Sequence, residues 1–79
     1  MADAPTPDRT LDAKGLLCPM PIVKLAKAIK EMAPEQVLLL EATDPGSVPD
    51  VAAWSRNTGN PVLHLEIADR VMRFWIRKA

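Results

Sequence analysis

Pro19 and Pro21, with one residue between them, decide where the first helix of this chain can begin. Pro19 has no N–H to leave unpaired and Pro21 fixes its own φ, so both suit a first helical turn and neither suits a helix interior. The amphipathic run that follows fits a helix from Pro19 to about Met32. Ile22, Leu25, Ala26, Ile29 and Met32 recur at helical spacing, with Lys24, Lys27 and Lys30 on the polar side. Pro34 prevents continuation.

The only cysteine of the chain, Cys18, stands just before these prolines, after a loop that contains Gly15. A sulfur near a helix start meets unpaired N–H groups and the positive end of the helix dipole, both of which favour a thiolate. On this local argument Cys18 is expected to ionise moderately below an ordinary thiol, with Lys24 adding positive potential. The plainer reading, a small buried apolar cysteine, does not account for the glycine loop and the two prolines.

The remaining pattern completes one small domain. Residues 1–8 are polar, proline-bearing and aperiodic, and are expected to form a disordered tail; residues 9–79 form the domain. Arg9–Asp12 reads as a short strand that brings Leu11 to the core. Gln36–Ala42, with the apolar run Val37-Leu38-Leu39-Leu40, reads as an interior strand. Thr43-Asp44-Pro45-Gly46 is a turn in which Asp44 bonds nearby backbone. Ser47 to Asp50 matches the S-x-x-D form of a capping box and opens a second helix, with Val51, Ala52 and Trp54 on its apolar side and Gly59 as its stop. Two closing strands, Val62–Ile67 and Val71–Lys78, are separated by a tight turn at Ala68-Asp69. In them Leu63, Leu65, Ile67, Met72, Phe74 and Ile76 alternate with His64, Glu66, Arg73, Trp75 and Arg77, which places the first set on the core face. The order β-α-β-α-β-β predicts an α/β two-layer sandwich, a mixed four-stranded sheet with both helices on one face.

Composition narrows the function. Ten basic and ten acidic side chains cancel, so bulk charge does not draw the chain to nucleic acid, and direct nucleic-acid binding is not expected. One cysteine excludes an internal disulfide and a multi-cysteine zinc site, and His64 has no companion ligand; no metal or cofactor is expected. No run is apolar and long enough to span a bilayer, and no signal-peptide pattern is present, so a reducing cytoplasm is the expected setting.

Leu11-Asp12-Ala13-x-Gly15-Leu16-x-Cys18-Pro19-x-Pro21, then Asp44-Pro45-Gly46, Asp50, Ala53-Trp54 and Thr58-Gly59, resemble the TusA/SirA-like sulfur carrier family across roughly residues 9–78. The resemblance implies a sulfurtransferase that works by relay. Cys18 accepts sulfane sulfur as a persulfide from a cysteine desulfurase or rhodanese-type donor and passes it to the thiol of a downstream acceptor protein. Leu17 and Met20 replace the charges that tRNA-thiolation relatives carry beside the cysteine, and Ser55 stands where some relatives have a second cysteine. Leu17, Met20 and Lys24 are the candidate partner contacts; Gly15, Pro19 and Pro21 shape the loop and helix start. Two other classes compete: a thiol-based regulatory or redox adaptor, and an RNA- or protein-binding module that uses the Arg73-Trp75-Arg77 stripe.

Overall fold

The computed structural model describes residues 4–79. Its elements follow the expected order: β1 (Arg9–Ala13), α1 (Met20–Lys30), β2 (Val37–Ala42), α2 (Ser47–Thr58), β3 (Val62–Ala68) and β4 (Val71–Arg77). The sheet runs β1-β2-β4-β3. β1 pairs parallel with β2, as a strand–helix–strand unit requires, and β4 is antiparallel to both β2 and β3.

Alternation on the two inner strands makes the core. Leu38, Leu40 and Ala42 of β2 and Met72, Phe74 and Ile76 of β4 turn to one face, where they meet Leu25, Ala28, Ile29 and Val51 of the two helices in a single buried cluster. Ala28 is buried where the helical stripe had placed Ala26. The α2 stop falls on Gly59, whose φ of 77° is the left-handed conformation that ends a helix at low cost for glycine. Of the expected tail, residues 1–3 lie outside the described residues. Asp8 is tied to β2, accepting from the Val37 N–H at 2.8 Å through its carboxylate and donating its own N–H to the Val37 carbonyl at 2.7 Å.

Several details differ from the pattern reading. α1 begins at Met20, with Pro19 at the N-cap and Pro21 in the first turn. The hairpin turn falls one residue later than expected: Asp69 and Arg70 take φ of 53° and 66°, the left-handed pair that a two-residue turn between twisted strands requires. Leu65 and Ile67 lie opposite Phe74 and Met72, on the helix face, yet are 40% and 62% exposed. α2 stands back from them, leaving a groove lined by Val48, Val51, Ala52, Val62, Leu65 and Phe74. Leu63 falls at a register shift between Val62 and His64 and is also exposed. The core face of β3 is therefore only partly covered.

Arg70 is the costly member of the turn, because an L-residue in the left-handed region loses about 1–2 kcal/mol. Arg70→Gly is expected to stabilise the fold by about 0.5–1 kcal/mol, the left-handed relief less the entropy that glycine loses. Thermal denaturation should show a rise of several degrees. A fall would mean that the Arg70 stem, which lines a hollow with Ile67 and Met72, contributes more by packing than its backbone costs.

Candidate functional site: a thiol between two aspartates

The parallel ladder sets Ala13, the last residue of β1, opposite Ala42, the last of β2. The loops that follow the two strands therefore leave the sheet side by side, and both helices begin at that end. The first loop turns at Gly15, whose φ is 82° and whose N–H donates to Thr43 Oγ1 across the loops at 2.9 Å. Two residues after Leu16, the Cys18 N–H donates to Asp44 Oδ2 at 2.8 Å. Asp44 uses its other oxygen on the Gly46 N–H at 3.2 Å, so one carboxylate shapes its own turn and anchors the cysteine loop. The turn role expected of Asp44 is present, and the contact with Cys18 is additional.

The sulfur finds its hydrogen-bond partner on the other helix. Cys18 Sγ–H donates to Asp50 Oδ2 on α2 at 2.8 Å. Asp50 had read as the acid of a capping box, but α2 is capped at Gly46 with no side-chain hydrogen bond, and Ser47 is buried with its Oγ unpartnered. The carboxylate that sequence assigned to the helix start is turned to the thiol instead. Cys18, Pro19, Ile22, Asp50, Ala53, Trp54 and Asn57 line an open hollow between the two helices.

This geometry reverses the expected shift of the thiol. Cys18 is raised above an ordinary cysteine, first by the hydrogen bond to Asp50, then by partial loss of water around the sulfur, then by the negative charges of Asp50 and Asp44. Lys24 does not oppose them; it lines a separate hollow with Arg9, Lys27 and Glu31. The start of α1 alone would favour the thiolate, but the dominant charges arrive from α2 and from the loop after β2.

Cys18 itself is exposed, and the side chains beside it are apolar and open: Leu17 is 73% exposed, and Met20 and Val23 are exposed on the first turns of α1. The opposite sheet face offers less than its sequence suggested. Trp75 is only 6% exposed, with the His64 ring edge-on to it at 5.0 Å, and Arg73 is held by Glu41 at 3.0 Å. A buried indole cannot stack a base, so the stripe does not form a nucleic-acid platform.

The model of the family described as Sulfurtransferase TusA matches residues 9–78. The chain belongs to the TusA sulfurtransferase family. It is 45% identical over 71 residues to the protein YrkI of Bacillus subtilis (strain 168), a match that covers 90% of this chain and 95% of that one. With the sulfur carrier protein TusA of Allochromatium vinosum it shares 42% identity over 72 residues, covering 91% and 95% of the two chains. The crystal structure of a SirA-like protein from Desulfitobacterium hafniense superposes with a TM-score of 0.77 over 87% of this chain and 95% of that one, at 24% identity, and shows the same fold. A sulfur carrier role follows from membership of the TusA family; among the described residues no helix is long and apolar enough to cross a membrane.

Because the folded thiol keeps its proton to higher pH than a free one, its hydrogen bond favours the fold below the ordinary thiol range. That contribution is lost as pH rises through the folded value. Alkylation of Cys18 by iodoacetamide, followed against pH, is expected to inflect above free cysteine measured alongside. An inflection at or below the free value would contradict the raised thiol.

Proposed function

We propose that the protein carries sulfane sulfur as a persulfide on Cys18, taking it from a cysteine desulfurase or rhodanese-type donor and passing it to the thiol of an acceptor protein. The observation that carries this reading is an exposed single thiol, held at the end of a hydrogen-bonded loop in a chain of the TusA family. In loading, the Cys18 sulfur attacks the outer sulfur of a donor persulfide. A new S–S bond forms, the donor's S–S bond breaks, and the donor sulfur leaves as a thiolate with no net oxidation. Unloading is the same step with the acceptor thiolate as nucleophile. Neither direction needs a cofactor, and the catalytic groups of the partner enzymes can supply the rest. Residues 9–79 act as one carrier domain in the cytoplasm, where a free thiol persists.

Two sulfurs must meet for transfer, so donor and acceptor dock in turn over the same first turn of α1. Gly15, Pro19 and Pro21 hold that surface in shape; Leu17 and Met20 are its apolar contacts, and Lys24 is a charged contact farther along the helix. The exposure of Leu17 and Met20 supports this assignment. A methionine there adapts to two different partners.

Incubation with a desulfurase and cysteine should add one or more sulfur atoms to the protein by mass, reversibly on reduction. Cys18→Ser should abolish the gain while changing stability by no more than about 0.5 kcal/mol, as for other surface changes. Adducts with glutathione or a partner thiol alone would favour the redox adaptor instead. Leu17→Arg with Met20→Glu should impair transfer to the acceptor with the fold intact, whereas Arg73→Ala and Arg77→Ala should matter far less; the reverse ranking would move the docking surface to the sheet.

A further inference from the structure

A relay needs a nucleophilic sulfur, yet the two carboxylates that contact Cys18 in the free protein, those of Asp50 and Asp44, discourage its ionisation. α2 contributes Asp50, Ala53, Trp54 and Asn57; α1 contributes Ile22, and its N-cap is Pro19; the loop after β2 contributes Asp44. No cation stands among them. The two aspartates are not equivalent. Asp44 has both oxygens engaged by backbone N–H groups, of Cys18 and of Gly46. The Asp50 carboxylate accepts from the Cys18 thiol alone among the described side-chain hydrogen bonds, and it makes no ion pair among the described residues. It is half-buried beside the apolar Pro19, Ile22, Ala53 and Trp54. An unpaired carboxylate in such a place offers a partner a charge to complement, and the partner's approach to Cys18 brings it there.

We propose, resting on the relay reading above, that Asp50 keeps Cys18 as a hydrogen-bonded, weakly nucleophilic thiol in the free protein, and that the docking sulfur donor releases it by setting a cationic side chain against Asp50. An arginine suits the position, because its planar fork matches a carboxylate and its stem can lie along the apolar wall. Once Asp50 is paired, the Cys18 proton passes to water and the thiolate attacks the outer sulfur of the donor persulfide. The donor thiolate that leaves takes up a proton from water. The balance is Cys18–SH plus donor–S–SH giving Cys18–S–SH plus donor–SH. Until docking, the closed state shields the thiol from small disulfides, oxidants and alkylating agents, all of which react with the thiolate.

The test compares two sulfur donors on wild type and Asp50→Asn, with the rate of mass gain as readout. Glutathione persulfide brings no protein surface; a desulfurase persulfidated with cysteine does. With glutathione persulfide, Asp50→Asn should load roughly three- to tenfold faster, as expected for a thiol relieved of the hydrogen bond and the negative charge that hold its proton. With the desulfurase it should load more slowly than wild type, and the wild-type rate should fall with added salt more steeply than the variant's. Faster loading from both donors would remove the partner cation from the proposal. Slower loading from both would make Asp50 a proton acceptor or a support for the loop, and equal rates would deny it any part; each of these overturns the proposal. Alkylation at neutral pH is independent of any donor: Asp50→Asn should react several-fold faster with iodoacetamide, and an equal or slower rate overturns the proposal. Asp50→Ala should move each rate in the same direction, guarding against a local effect of the amide. Wild type that neither a desulfurase nor a rhodanese can load would instead sink the relay reading, while the alkylation comparison still decides the role of Asp50.

Discussion

The parallel pairing of β1 with β2 is the constraint from which the site follows. Parallel strands end together, so Ala13 and Ala42 lie side by side and the loops that leave them emerge at one end of the sheet. The chain must then start two helices from neighbouring points. Cys18, just ahead of α1, meets Asp44 in the loop before α2 and Asp50 in the first turn of α2 because of that ladder. Open α/β sheets commonly carry function beyond the carboxyl ends of their parallel strands. Here that region is small enough for one thiol and two carboxylates to occupy it.

The site and the core make separate demands. Phe74, Leu25, Leu38, Leu40 and Ile76 are fully buried, and truncating such side chains typically costs about 2–5 kcal/mol. Cys18 and its neighbours Leu17 and Met20 are exposed and contribute little to that packing. The cysteine loop keeps its shape through hydrogen bonds from Gly15 to Thr43 and from Cys18 to Asp44 rather than through burial. The exposed surface around Cys18 can therefore vary in charge and shape without threatening the fold.

Much of this was legible in the chain, for identifiable reasons. Helical spacing in α1, the apolar run of β2, the glycine stop of α2 and the alternation of β4 are local patterns, and each produced the element it predicted. The core face of β3 was assigned correctly but its burial was not, because alternation says which way a side chain points and not how far the layer above extends. Leu65 and Ile67 face a helix layer that stops short of them. Trp75 failed in the opposite sense: it stands on the open face yet is buried, with His64 edge-on to its ring. The role of Asp50 was hidden because S-x-x-D also reads as a capping box. The sign of the thiol shift was missed for the same reason, since the deciding charges come from another helix. The available signal was the symmetry of the two loops, each following one strand of a parallel pair and each opening a helix.

The contact between Cys18 and Asp50 can be observed directly by carbon NMR of the Asp50 carboxyl resonance through the alkaline range. The carboxyl carbon should shift as the thiol loses its proton, at a pH above the ordinary cysteine range, and the same step should vanish in Cys18→Ser. A carboxyl resonance unmoved while Cys18 ionises, or a shift centred at or below the ordinary range, would contradict the thiol–carboxylate pair on which the site is built.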